Sequence, residues 1–166
     1  MERVMAALAL AADDPCILRR FGVIAATLVL VALSGCGGRQ SVHGHSCGPT
    51  DQRFIQTAST DMIGLGVLNA DYQSGAVEAK DVSQEAFDSA VRIQHSDPKD
   101  PSLKTAQRYL DAMFQEYGTA VTIQAKGGDA GERMYRAYGL ANFAHDVLTQ
   151  AQPALYKQGC DVGPLL

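Results

Sequence analysis

The sequence predicts an all-α fold, an antiparallel four-helix bundle behind an N-terminal signal and tether. Three observations predict it. Beyond residue 50, apolar residues recur at steps of three and four, the period of a helix with one buried face. Clusters of Gly, Pro and Asp cut this pattern into four segments. Alternating Val, Ile and Thr runs are scarce outside the N-terminal stretch, so no strand pattern competes.

The first helix is expected over residues 50–73. Thr50 is a candidate cap, with Asp51 placed favourably at the positive end of the helix dipole. Ile55, Met62, Leu65, Leu68 and Tyr72 form its apolar stripe, and Gly75 is a fitting terminator. Gly64 and Gly66 lie inside it and cost about 1 kcal/mol each relative to alanine. They suggest close packing, a kink or a break.

The second helix is expected over residues 81–95, with Asp81 and Gln84 as a capping box. Val82, Ala86, Ser89, Ala90 and Ile93 form its inward face. Ser96-Asp97-Pro98-Lys99-Asp100-Pro101 then breaks the chain.

The third helix is expected over residues 101–125, with Asp100 as cap and Pro101 in the first turn. Leu103, Ala106, Leu110, Met113, Tyr117 and Ala120 keep the helical rhythm, and Phe114 and Val121 widen the face. Lys126-Gly127-Gly128 stops it. The fourth helix is expected over residues 129–157, capped by Asp129 with Glu132. Its inward positions are Met134, Ala137, Ala141, Ala144, Leu148, Ala151 and Leu155, with Pro153 as a kink or an early end.

Composition narrows the function. The chain has 166 residues, 46% of them hydrophobic, enough for one core. Its formal net charge is −4, and no Lys/Arg cluster marks a nucleic-acid interface. Motifs for chemistry are absent. His145 and His95 follow Asn142 and Arg92 where a di-iron bundle places Glu, and no CxxCH, GxSxG, SxxK or HExxH occurs. Gly127-Gly128-Asp129-Ala130-Gly131 lacks a preceding strand and a Lys-Ser/Thr ending, so it reads as a turn between helices. The chain is therefore expected to be non-enzymatic and without a cofactor.

The N-terminal stretch reads as an address. Arg19-Arg20 precede the apolar run of residues 21–33, and Ser34, Gly35 and Cys36 follow. Charge, apolar run and small residues are the three parts of a secretory signal. A run of thirteen residues falls short of the about 20 that a spanning helix needs. Leu33-Ser34-Gly35-Cys36 resembles the lipobox of bacterial lipoproteins. The resemblance implies cleavage before Cys36, a diacylglyceryl group on its thiol and acylation of the new amine. It implies a partner, the membrane, reached through lipid on Cys36 at its extracytoplasmic face, with an envelope protein as a further candidate partner. Residues 1–35 are then signal, residues 36–49 a lipidated tether rich in Gly, Ser and His, and residues 50–166 the bundle. Residues 1–18 contain Asp13, Asp14 and Pro15, unusual in such signals, and are expected to precede the true start or to form a long leader.

Of four cysteines, Cys16 belongs to the leader and Cys36 to the lipid. Cys47 and Cys160 remain, flank the domain and lie where disulfides persist. An even number of helices returns both termini to one end, so a Cys47–Cys160 bridge is expected. His43, His45 and Cys47 alternate, but a bridged Cys47 cannot ligate, and no metal site is assigned. Tyr138, Asn142 and His145 share one stripe bordering the apolar seam of the fourth helix, the candidate wall of a ligand cleft. Asp146, adjacent in sequence, is expected to point elsewhere. The expected function is an envelope lipoprotein with a binding or structural domain. The alternative is a bundle that binds a small ligand or a metal.

Overall fold

A computed structural model of the chain describes residues 47–166. Cys36, His43, His45, the signal and most of the tether lie outside the described residues. Among the described residues are four α-helices and a short 3-10 turn: α1 (Pro49–Gln73), α2 (Ala79–Gln94), α3 (Pro101–Ala125), α4 (Gly131–Lys157) and the turn Gly163–Leu165. No strand occurs among them. No helix among them is long and apolar enough to cross a membrane.

Local chemistry sets the helix ends. Asp100 starts α3 by accepting hydrogen bonds from the backbone N–H groups of Ser102, at 2.7 Å, and Leu103, with Pro101 in the first turn. The other caps differ from expectation. Gly48, not Thr50, is the N-cap of α1, with Pro49 next to it. Asp51 turns inward and accepts from the backbone N–H groups of Lys99 and Asp100, tying the start of α1 to the start of α3. The capping box of α2 pairs Glu78 with Asp81, one turn before the expected pair; Asp81 accepts from the Glu78 N–H at 3.2 Å. Asp129 accepts from the Gly131 N–H, while Glu132 pairs with Arg136 along α4. Pro153 does not end α4, which runs to Lys157. It removes only the N–H that would reach Thr149, an exposed position.

Neighbouring helices run antiparallel. Asp51 meets Lys99, in the loop after α2, and Asp61 meets Arg92 of α2, so partner numbers fall as those on α1 rise. Gln107 donates to the Ile93 carbonyl, while Gly118 lies against Phe87 and Ser83. Glu116 pairs with Arg133, while the Tyr109 and Phe143 rings stand 5.6 Å apart. Phe54, Ile93, Leu103, Leu110, Phe114 and Leu148 are fully buried in the shared core. Burying each such side chain contributes about 1.5–3 kcal/mol.

The disulfide joins the two ends of the domain. Cys47 and Cys160 are bonded, with Cα atoms 4.6 Å apart across 113 residues of sequence. Beyond Cys160 the chain folds back, burying Val162 and Leu165. Ser59 Oγ, in the middle of α1, lies 3.5 Å from the Pro164 carbonyl.

Candidate functional site

The bundle is open on one side. No Cα of α1 lies within 8 Å of any Cα of α4, although each helix packs closely on its chain neighbour. Two features flank the gap. On one side Arg92 of α2 draws Asp61, and with it α1, toward α2. At one end the C-terminal tail wedges Leu165 against both α1 and α4. A groove results, with α3 as its floor.

The groove has two halves that share Met62 and Ala141. The half beside the C-terminal tail holds about 430 Å³ and is lined by Ile63, Leu110, Leu148 and Leu165. The other holds about 260 Å³ and is floored by Met113, Phe114 and Tyr117. No Asp, Glu, Lys or Arg side chain lines either half. Polar groups sit on the rim. Tyr138 borders one half, and Asn142 and His145 the other. At the far end the Tyr117 hydroxyl donates to Asn69 Oδ1 at 2.8 Å, and burial pushes its pKa above the usual tyrosine value.

The expected stripe of Tyr138, Asn142 and His145 is thus one wall of a groove, with side chains that also reach solvent. Tyr138 is 62% exposed. His145 Nδ1 stands 3.8 Å from Asp146 Oδ1, which corrects the expectation that Asp146 points away. That separation exceeds hydrogen-bond reach, so the carboxylate does not fix the imidazole as a base. Met62 differs too: expected in the core stripe, it stands 37% exposed at the neck of the groove, because α4 does not close over it. Met134 is only half-buried for its part, and Ala137, Ala144, Leu148 and Leu155 carry the inward face of α4.

A second, polar cleft lies between α1 and α2. Asp61 is 5% exposed in the seam of α1. Arg92 Nε donates to its Oδ1 at 2.9 Å and also reaches Glu85. Asp61 Oδ2 is buried without a hydrogen-bond partner. Burial pushes the Asp61 pKa up, against the opposing pull of the Arg92 guanidinium. The hydrogen bond to Asp61 in turn raises Arg92. The cleft around them, about 490 Å³, is lined by Gln56, Thr57, Thr60 and Gly64 as well. Sequence reasoning missed this pair. A signal was available: Phe54, Ala58, Asp61 and Leu65 follow helical steps, and a carboxylate on such a seam requires a partner.

Among the described residues, metal ligands do not converge: no three His, Cys, Asp or Glu side chains cluster as a metal site. The Cys47 sulfur is committed to the disulfide, and His95 Nδ1 contacts the Val91 carbonyl at 2.7 Å. Compared with known proteins, the chain matches no family model, no curated protein and no solved structure.

Proposed function

We propose that the chain is a membrane-anchored envelope lipoprotein of bacteria, held by lipid on Cys36, whose helical domain is a non-enzymatic binding module. The observation that carries the binding role is the groove between α1 and α4. Its floor is apolar, its rim holds a few polar groups, and two separate helices present it, the common form of a recognition site. Its lining has no charged side chain and no carboxylate hydrogen-bonded to His145, which favours recognition of an apolar group over proton transfer.

The address is supported by two features of different kinds. Residues 19–36 carry charge, apolar run, small residues and Cys in that order. The Cys47–Cys160 bond belongs in an oxidising compartment, outside the cytoplasm. The membrane is then the first partner, reached through two or three fatty chains where one alone would hold only marginally.

Cell fractionation of wild type and Cys36→Ser tests the reading. The expected result is wild type in the membrane fraction and the variant released in soluble form. Wild type in the cytosol, with Cys47 and Cys160 reduced, overturns it.

A further inference from the structure

We infer that one fatty chain on the protein's own Cys36 lies in the groove between α1 and α4. The inference rests on the lipoprotein reading and names the occupant of its binding surface.

The groove suits an alkyl chain. Its floor of Leu110, Met113 and Phe114 offers no charged group. An alkyl chain needs no hydrogen bond in return. The groove is also elongated. It follows α1 from Met62 to Asn69 and α4 from Tyr138 to Leu148, roughly 10 and 15 Å at 1.5 Å per residue.

Chain length and position place the lipid within reach. Cys36 precedes Cys47 by eleven residues, which span at most about 36–40 Å when extended. Cys47 is bonded to Cys160, and the residues just beyond Cys160 form one end of the groove through Pro164 and Leu165. The tether therefore starts at the end of the domain nearer the larger half of the groove, whose α1 wall at Met62 lies about 20 Å along the helix from Pro49, within the tether's reach.

The driving force comes from the protein side. An alkyl chain is equally well solvated by bilayer or by Leu and Phe side chains. Moving it into the groove removes water from the exposed walls, Met62, Ile63 and Tyr138, above a floor that is already buried, and that burial is favourable. The remaining chains stay in the bilayer, so the domain sits close against the membrane with the groove filled.

Photocrosslinking of the full protein in its own cells tests this. Cells are fed a fatty acid with a terminal diazirine, irradiated, and the purified protein is digested for mass spectrometry. The expected product joins the Cys36 peptide, through its acyl chain, to peptides spanning residues 62–69 or 138–148. Acylated Cys36 without these crosslinks overturns the inference and leaves the lipoprotein reading intact. Phospholipid-sized adducts on the same peptides also overturn it, because the groove would then hold a bilayer lipid. Unacylated Cys36 removes both readings. Ala141→Phe fills the neck of the groove and is expected to abolish the crosslinks beyond it, to Leu65–Asn69 and Tyr138, while helical content and the disulfide persist. Undiminished crosslinking in that folded variant contradicts the inference, and the wild-type product decides alone if the variant does not fold.

Discussion

Arg92 of α2 holds one oxygen of the buried Asp61 carboxylate of α1 at 2.8 Å and leaves the other oxygen unpartnered. This pair joins two helices beside the open side of the bundle. Removing the guanidinium would leave a buried charge uncompensated. Breaking a fully buried pair costs about 3–5 kcal/mol. Arg92 is 42% exposed, so solvent screens part of the interaction. Arg92→Ala is expected to lower stability by roughly 2–3 kcal/mol in urea unfolding, by leaving a buried acceptor unpaired. A loss under about 0.5 kcal/mol, the range of an ordinary surface change, contradicts that role.

The same carboxylate predicts a pH dependence. Burial raises the Asp61 pKa above its ordinary 3.8 in the folded chain. The folded state therefore binds this proton at higher pH than the unfolded state. The stability gained is full below the unfolded value and is lost as pH rises through the folded one. Asp61→Asn cannot titrate. The urea midpoint of wild type is expected to gain on that of Asp61→Asn as pH falls through the carboxylate range. Other carboxylates, such as Asp97 lowered by Lys99, cancel in the difference. A difference constant with pH contradicts the assignment.

Reduction of the Cys47–Cys160 bond opens a loop that spans 113 residues of sequence. In the chain-entropy account such a closure contributes about 4–5 kcal/mol. The Cys47→Ser/Cys160→Ser double variant and the reduced wild type are expected to lose this amount alike. Circular dichroism during denaturation, with and without reductant, measures it. Equal stability of oxidised and reduced protein would sink the prediction.

Three helix glycines separate by what surrounds them. A Cβ at Gly64 or Gly66 meets nothing within 4 Å, so neither close packing nor a break explains them, and α1 runs through both unbroken. Gly64→Ala and Gly66→Ala are expected to raise stability by about 0.5–1 kcal/mol each. A Cβ at Gly118 lies 3.1 Å from the Phe87 ring and from the Ser83 carbonyl. Gly118→Ala requires the Phe87 ring and the Ser83 carbonyl to yield by a few tenths of an ångström and is expected to lower the melting temperature. Opposite signs in one thermal series are the expected outcome, and matching signs refute the packing described.

Local chemistry made much of the fold legible. Asp100-Pro101 and Lys126-Gly127-Gly128 bracket α3 at its observed limits, because a cap and a breaker act within a few residues. The inward face of α2 is the expected one, from Val82 to Ile93. The Cys47–Cys160 bond followed from helix parity. The groove was half legible. Periodicity put Tyr138, Asn142 and His145 on one stripe, but no pattern within α4 reports how far α1 stands from it. That distance depends on Asp61 with Arg92 and on Leu165 of the tail, contacts between residues far apart in sequence. Met62 was misplaced for the same reason, since an apolar residue fits a core and a groove wall equally well.

Whether Cys36 carries lipid decides the account, and the intact mass of the protein extracted from membranes measures it directly. The predicted polypeptide begins at Cys36, bears the added mass of its acyl groups and retains the Cys47–Cys160 bond. A polypeptide that keeps residues upstream of Cys36, with that thiol unmodified, would contradict it.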